Sequence, residues 1–219
     1  FNHHLAALEG TTTPRAPDAW VIATFDNLAP TFEAHLRDLG YDVPRRLADL
    51  VLQHEPADRE ILDLGCGTGL CGAALASKRR HLVGVDLSPA MLEQARGRAI
   101  YDELACAEAH DWLARCEASR FDLVIAADVL IYIGALEELF AHVHRVLRPG
   151  GAFAFSTEER AGAPFTLQGT GRYAQSEEYV RNVAGPAMRV VRADPAVIRM
   201  ESGIPVAGRL WLITKVDAT

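Results

Sequence analysis

The chain has 219 residues, a hydrophobic fraction of 49% and a formal net charge of −7. This length is typical of one domain with a buried core, and the composition excludes disordered, collagen-like and disulfide-scaffold proteins. The acidic balance argues against a broad nucleic-acid surface, because binding phosphates requires a basic surface. We therefore do not expect nucleic acid as a partner.

Cysteine usage and hydropathy indicate the compartment. The four cysteines lack the paired spacing of metal ligands, so we expect reduced thiols and no metal site. The apolar stretch around residues 129–136 is far shorter than the about 18 residues of a membrane span, and no signal peptide is visible. These observations predict a cytoplasmic protein with no membrane partner.

The first 55 residues are predicted to be largely helical. Residues 1–18 run from a short helical piece into a Gly- and Pro-rich stretch, which we interpret as a linker or the tail of an upstream domain. Over residues 19–55, apolar residues recur at spacings of three and four, and Gly40 separates two helices. We expect this segment to form an N-terminal helical lid over a main domain at residues 56–219.

From residue 60 onward, the pattern alternates between strands and helices. Apolar runs predict strands at residues 61–64, 81–86, 104–108, 121–127, 152–157, 188–192 and 209–215. Ser88 is expected to cap the helix that follows the second strand. The long segment 158–175 predicts a substrate-covering loop or a disordered one. This alternation is typical of a parallel sheet covered by helices.

Three glycines follow the first strand at alternate positions, at Gly65, Gly67 and Gly69. Glycine permits positive φ and lets a ligand approach the backbone, and the helix after the loop presents free N–H groups. Residues 67–72 also satisfy G-x-G-x-x-G, and Asp86 ends the next strand, where an acid that binds ribose belongs. This spacing by itself leaves a dinucleotide open as the ligand.

The position of Asp63 favours one class of ligand over the other. It lies two residues before the first glycine, where its charge would stand close to a pyrophosphate. A ligand with a ribose, no phosphate and a cationic end suits this acid better. S-adenosylmethionine (SAM) is such a ligand, because it carries an ammonium and a sulfonium group.

Five motifs, in order over residues 60–157, resemble those of class I SAM-dependent methyltransferases. They are the segments Ile61–Gly69, Val83–Leu92, His110–Trp112, Phe121–Leu130 and Arg145–Gly151. The resemblance implies an α/β, Rossmann-like fold with a seven-stranded, mostly parallel sheet, helices on both faces and an antiparallel last strand. It also implies that Asp86 holds the ribose hydroxyls and that Asp111 accepts a hydrogen bond from the adenine amine.

The resemblance places the cofactor SAM against the residues of these motifs. The cofactor-binding set is Asp63, Gly65, Cys66, Gly67, Gly69, Asp86, Leu87, Met91, His110, Asp111, Trp112, Ala127 and Asp128.

Two further segments, 25–41 and 171–179, are similar to a bacterial group of predicted methyltransferases that often follows tetratricopeptide repeats. This resemblance implies a repeat domain upstream in the full-length protein. The group usually has His where Gln175 stands, which puts an acid–base role at that position in doubt.

Methyl transfer requires alignment of acceptor, methyl and sulfur, and removal of a proton where the acceptor carries one. Spacing therefore identifies no catalytic residue, and the candidates for a general base are His35 and Asp128. Arg172 is a candidate to hold an acidic substrate. The lid, the exit of the fourth strand and the 171–176 loop supply the predicted substrate-binding residues, which are Phe25, Phe32, Tyr132, Arg172 and Tyr173.

The leading functional hypothesis is methyl transfer to a small molecule, with oxygen expected as the acceptor atom and carbon or nitrogen open. A roofed pocket favours such a substrate over duplex nucleic acid. The alternatives are methylation of a protein or RNA, and a SAM-binding regulatory or assembly module without turnover. One fold hosts many acceptors, so the resemblance identifies the donor but not the acceptor.

Overall fold

The alternating pattern folds into one mixed sheet with helices on both faces in the computed structural model, which describes residues 2–54 and 58–216. The predicted boundary between residues 55 and 56 lies outside the described residues. The helices are α1 Asn2–Leu8, α2 Asp18–Leu28, α3 Phe32–Asp38, α4 Val43–His54, α5 Leu70–Leu75, α6 Pro89–Gly97, α7 Ala109–Arg115, α8 Glu137–Val146 and α9 Glu177–Ala184. The strands are β1 Arg59–Leu64, β2 Arg79–Asp86, β3 Glu103–Cys106, β4 Phe121–Ala126, β5 Leu147–Glu159, β6 Phe165–Leu167, β7 Tyr173–Gln175, β8 Met188–Glu201 and β9 Ile204–Lys215.

Seven of these strands form the predicted sheet. The first five are parallel in the order β3-β2-β1-β4-β5. The last strand, β9, lies antiparallel beside β5, and β8 pairs antiparallel with β9. The expected fold class is therefore confirmed, including its antiparallel last strand.

The segment predicted as a long loop over residues 158–175 contains two further short strands. Strand β7 pairs with the end of β5 at Glu158 and Glu159, and β6 pairs antiparallel with β7. Each is only three residues long, too short for its alternation to identify a strand from sequence. The hairpin brings the connection between them, with Arg172, to the sheet edge.

Strands β8 and β9 are longer than predicted. They form one hairpin whose turn lies at Ser202 and Gly203, with φ of 50° and 77°. Residues 204–208, which precede the predicted strand 209–215, are therefore also strand, because pairing with β8 holds this Gly- and Pro-containing stretch extended.

Alternate residues of the central strands supply the two halves of the core. Phe153 and Phe155 face one side of β5, where Phe140 of α8 packs against them at ring-centroid distances of 5.6 and 5.5 Å. Ala152 and Ala154 face the other side, in the cluster that contains the buried residues of α4 and α5. Strands buried on both faces explain the continuous apolar runs of the sequence.

The helices of the predicted lid pack in two different ways. Val43 and Leu47 of α4 are fully buried in the core, so this helix packs against the sheet, and its Pro44 lines the cavity described below. Helices α2 and α3 have no buried residues. Their apolar residues line a cavity over the sheet. Within the described residues, no helix has the length and apolarity that crossing a bilayer requires.

Candidate functional site

A cavity of about 340 Å³ lies at the carboxyl ends of β1, β2 and β4, beneath α2 and α3. Its position is the place where the strand order of the sheet reverses, between β1 and β4. Ligands of open α/β sheets bind at this point. The volume falls in the range of about 300–1,000 Å³ that is usual for small-molecule pockets.

Many of the residues predicted from sequence meet in the wall of this cavity. The predicted cofactor-binding residues among them are Gly65, Cys66, Gly67, Asp86, Leu87, Ala127 and Asp128. The predicted substrate-binding residues and the second candidate base are Phe25, Phe32, Tyr132, Arg172 and His35. The structure brings the two sets into one space, and the roles assigned to them stay predictions.

The glycine loop forms the floor of the cavity. Gly65, Gly67 and Gly69 all have positive φ, at 66°, 54° and 90°. A Cβ on Gly65 would lie 2.4 Å from Cγ2 of Val129, so only glycine fits there. The N–H groups of Gly65 and Cys66 both donate to the Val85 carbonyl, at 2.7 and 3.0 Å. This bonding fixes the loop against the end of β2.

Asp86 is held at the cavity wall by backbone donors. Its Oδ2 accepts from the Gly67 N–H and its Oδ1 from the Ser88 N–H, both at 2.8 Å. Desolvation raises the pKa of this carboxyl, although these hydrogen bonds oppose the shift. Ser88 also caps α6 as predicted, since its Oγ accepts from the Met91 N–H at 3.1 Å.

Asp63 lies beneath the glycine loop and does not line the cavity. The residue is 1% exposed, and its Oδ2 accepts from the Gly72 N–H at 3.0 Å and from the Tyr101 hydroxyl at 2.6 Å. Burial raises the pKa of Asp63 to about 7. Through this oxygen, Asp63 supports the start of α5. From the sequence, the residue was predicted to lie against the cofactor.

The predicted adenine-binding residues do not reach the cavity. Glu108 caps α7 by accepting the Asp111 N–H on Oε2 at 2.9 Å, so residues 110–112 already belong to the helix. The Asp111 side chain is exposed, and Trp112 packs near Phe121 with ring centroids 6.2 Å apart. The wall here consists of residues 107–109 instead. Gly69 and Met91 also lie outside the wall.

Two residues of the 171–176 segment serve the fold and not the cavity wall. The Tyr173 ring is buried, and its hydroxyl lies 2.5 Å from Oγ1 of Thr13. Gln175 is also buried, and its Nε2 donates to the carbonyls of Leu130 and Ile133 at 3.0 and 2.9 Å. Gln175 thus fixes the turn that carries Tyr132.

Polar contacts attach the lid to the donor side of the cavity. Oδ1 of Asp26 in α2 accepts from the Ser88 hydroxyl at 2.5 Å and from the Ala90 N–H at 3.3 Å. Arg98 donates from Nε to the Thr68 carbonyl at 2.6 Å and from Nη2 to Glu33 of α3 at 2.5 Å. Sequence reasoning missed these contacts, because their partners are far apart in the chain.

The lid side of the cavity is aromatic and apolar. Phe25 packs edge-on against Phe32 and Tyr132, with ring centroids 6.0 and 5.5 Å apart. Leucines of α2 and α3 complete this wall, at Leu28 and Leu36. Such a wall suits an apolar or aromatic ligand body.

Asp128 is one of the acidic residues that line this cavity. Its backbone has a positive φ of 54°, which is uncommon for a non-glycine residue and typical of functional sites. Ser156 Oγ accepts the Asp128 N–H at 2.8 Å and donates to Oδ1 at 2.9 Å. Desolvation raises the pKa of Asp128 to about 6. His35, the other candidate base, is exposed at the cavity rim.

Arg172 has an internal partner. Its Nη1 bonds to Oε1 of Glu201, so its charge is balanced within the protein. Arg199 also lines the cavity and was missed from sequence. The signal available for it was weak, a single Arg within the apolar stretch 197–200.

Comparison with known proteins identifies the family. The model of a family described as "Methyltransferase domain" (Methyltransf_25) matches residues 61–151. The ubiquinone biosynthesis O-methyltransferase of Thiobacillus denitrificans is 30% identical over 159 residues, which cover 68% of this chain and 67% of that protein. The chain belongs to the SAM-dependent methyltransferases. SAM is the cofactor of this family.

Another relative is much longer than the matched region. The biotin biosynthesis bifunctional protein BioHC of Saccharophagus degradans is 31% identical over 144 residues, which cover 64% of this chain. The chain spans only 25% of the length of that protein.

A solved methyltransferase structure supports the fold. The 1,6-didemethyltoxoflavin-N1-methyltransferase of Burkholderia thailandensis, with 1,6-didemethyltoxoflavin and S-adenosylhomocysteine bound, has a TM-score of 0.67. The match covers 94% of this chain and 93% of that one at 18% identity. Identity this low shows the shared fold alone.

Proposed function

We propose that this chain transfers the methyl group of SAM to a small molecule held beneath α2 and α3. One observation carries the proposal: a single covered cavity holds the glycine loop and Asp86 on one side and an aromatic wall with Asp128 on the other. A donor and an acceptor bound there would be adjacent and shielded from bulk water.

The donor side fits SAM. Thr68 is buried in the cavity wall, and its Oγ1 has no hydrogen-bond partner among the residues that the structure describes. Gly67 has open space beside its Cα and so permits close backbone approach, and Asp86 presents a carboxylate suited to ribose hydroxyls. We propose that these residues bind SAM. Once bound, SAM supplies a methyl group already activated by the positive sulfur.

The acceptor side suits an uncharged molecule with an apolar body and a proton-bearing group. Phe25, Phe32 and Tyr132 form a surface for the body. Asp128 is the better candidate for the general base, because a carboxylate with a pKa of about 6 is ionised at neutral pH yet basic enough to accept a proton. Arg172 is already paired, so an acidic acceptor would have to displace Glu201.

Oxygen is the acceptor atom that we propose first. The relative from Thiobacillus denitrificans is named an O-methyltransferase, and the structural neighbour from Burkholderia thailandensis is an N-methyltransferase. Both names are compatible with a base that removes a proton from the acceptor. Methylation of a carbon atom would require a carbanion, which the same base, Asp128, would form by removing a proton from the acceptor.

The test is methyl transfer from SAM with a deuterated methyl group. The chain is incubated with this donor and with separate small-molecule, protein and RNA fractions of a cell extract, and each is analysed by mass spectrometry. We expect the label in the small-molecule fraction, and its loss with Asp128→Asn. Label confined to protein or RNA would contradict the proposal. SAM binding with no label in any fraction would support a regulatory module instead.

A further inference from the structure

Five charged side chains form a buried or partly buried cluster between the cavity and the end of β5. They come from the exit of β4, from β5, from the β6–β7 connection and from β8. The members of this Arg199 cluster are Asp128, Glu158, Arg172, Arg199 and Glu201.

Arg199 is the centre of the cluster. It is 4% exposed and donates from each of its three nitrogens to a different carboxylate. Nη1 bonds to Oδ2 of Asp128 at 3.2 Å, Nε to Glu201 at 2.7 Å, and Nη2 to Glu158. A guanidinium group suits this task because its donors have a fixed planar geometry.

An irregularity in β8 aims Arg199 inward. Val197 pairs with Ala207 and Arg199 pairs with Val206, so Ile198 is an additional residue on β8. Strict alternation would put Ile198 and Arg199 on opposite faces, yet both are buried, at 1% and 4% exposure. Bulges of this kind redirect side chains next to functional sites.

We propose that Arg199 is a positioning residue that fixes the Asp128 carboxylate at the acceptor side of the cavity. The inference rests on the proposed function, in which Asp128 faces the acceptor. Ser156 holds one carboxylate oxygen at 2.9 Å and Arg199 holds the other at 3.2 Å, so the orientation of the group is fixed from both sides. Each oxygen keeps a lone pair for the proton of the acceptor.

The charges around Asp128 act in opposite directions on its proton affinity. Arg199 and Arg172 lower the pKa of Asp128, whereas desolvation and Glu158 raise it. The other titratable groups in electrostatic contact with it are Tyr41 before α4, Cys71 of α5 and Tyr132. Burial raises the pKa of all three, so they are neutral near pH 7 and contribute little charge.

A purely structural role is the competing explanation. Arg199 also bonds to the buried Glu158, and this pair alone could account for a buried charge at this place in the fold. The two explanations differ in what they predict for Asp128. If Arg199 positions Asp128, removing the Arg and removing the Glu158 charge must move the Asp128 titration in opposite directions.

The experiment is an NMR titration of the Asp128 side-chain carboxyl in the SAM-bound chain, with the signal assigned by its absence in Asp128→Asn. We expect Arg199→Met to raise the titration midpoint by about one pH unit or more, which is at least a tenfold gain in proton affinity. Glu158→Gln should lower the midpoint, and Arg199→Lys, which keeps the charge but not the planar set of donors, should raise it by less than Arg199→Met. Arg192→Met is the matched control, because Arg192 lies exposed on the same strand and pairs with Asp194.

The titration needs neither an acceptor nor turnover, so its outcome is independent of the methyl-transfer test. A folded Arg199→Met chain with an unchanged midpoint overturns the proposal. If Arg199→Met does not fold, Glu158→Gln alone tests the proposal. An unchanged or raised Asp128 midpoint in Glu158→Gln also overturns it. A shift in Arg192→Met as large as in Arg199→Met would show a general charge effect and would count against positioning.

Discussion

The Asp63 carboxyl group supports the glycine loop from below, whereas Asp86 faces the cavity. Both acids end a parallel strand, β1 or β2, yet their surroundings differ. Asp63 is enclosed by the loop and by Tyr101, and Asp86 is held at the cavity wall by two backbone donors. One acid is therefore assigned to the stability of the loop and the other to the ligand.

Stability should depend on pH through Asp63. Burial raises its pKa from an ordinary value of 3.8 to about 7, so between these values the folded chain binds a proton that the unfolded chain has released. The contribution of Asp63 to the free energy of unfolding must therefore fall as pH rises across this window, by on the order of a few kcal/mol. Asp63→Asn should flatten the dependence, as measured by urea unfolding at several pH values. Equal slopes in both chains would contradict the assignment.

At the scale of elements, a few polar contacts attach the helices of the lid to the donor side of the cavity. Helix α2 is attached to the start of α6 by Asp26, and α3 is attached to the glycine loop by Glu33 through Arg98. Since α2 and α3 have no buried residues, their apolar packing is weaker than that of α4, although Trp20 and Val21 of α2 pack against a small core cluster. These contacts thus control how firmly the cavity is covered.

We predict that Asp26→Ala weakens the closure over the donor. Loss of a hydrogen bond to a charged group costs about 1.5–3 kcal/mol, which corresponds to roughly a tenfold or greater increase in the rate of SAM dissociation. Stopped-flow displacement of bound SAM measures this rate. Asn27→Ala is the matched control, because Asn27 bonds only to the Ala23 carbonyl of its own helix in the contacts that the structure describes. Equal rates in the two variants would count against the closure.

The sequence predicted the elements whose signals are local. Apolar runs located β1, β2 and β4, the side chain of Ser88 marked the start of α6, and three alternate glycines marked the ligand loop. The Arg199 cluster escaped prediction because it depends on a bulge in β8 and on partners up to 71 residues away. The residues predicted to contact adenine, 110–112, lie on α7 and outside the cavity wall, because Glu108 caps this helix and the wall here consists of residues 107–109.

For the whole molecule, ligand binding and folding are linked. A ligand that binds only the folded chain stabilises it by about 2.7 kcal/mol at a concentration of 100 times its Kd. For a chain of this length we expect S-adenosylhomocysteine at such a concentration to raise the unfolding midpoint by about 5–10 °C. The rise should be largely lost in Asp86→Ala and kept in Asp111→Ala, as followed by thermal unfolding. If the rise in the unfolding midpoint were lost in Asp111→Ala and kept in Asp86→Ala, the result would show that Asp111 contacts the ligand.

The position of β9 within the sheet has a consequence for how the protein is made. This strand comes last in the chain, yet it lies between β5 and β8 and is the strand through which β8 joins the sheet. A ribosome delivers β1 to β4, and with them the donor side, long before residues 204–215 emerge. Arg199 gains its place only when the hairpin docks as a unit. The nascent chain thus presents the lid helices α2 and α3 and the glycine loop first, and the hairpin that carries Arg199 is the last to assemble.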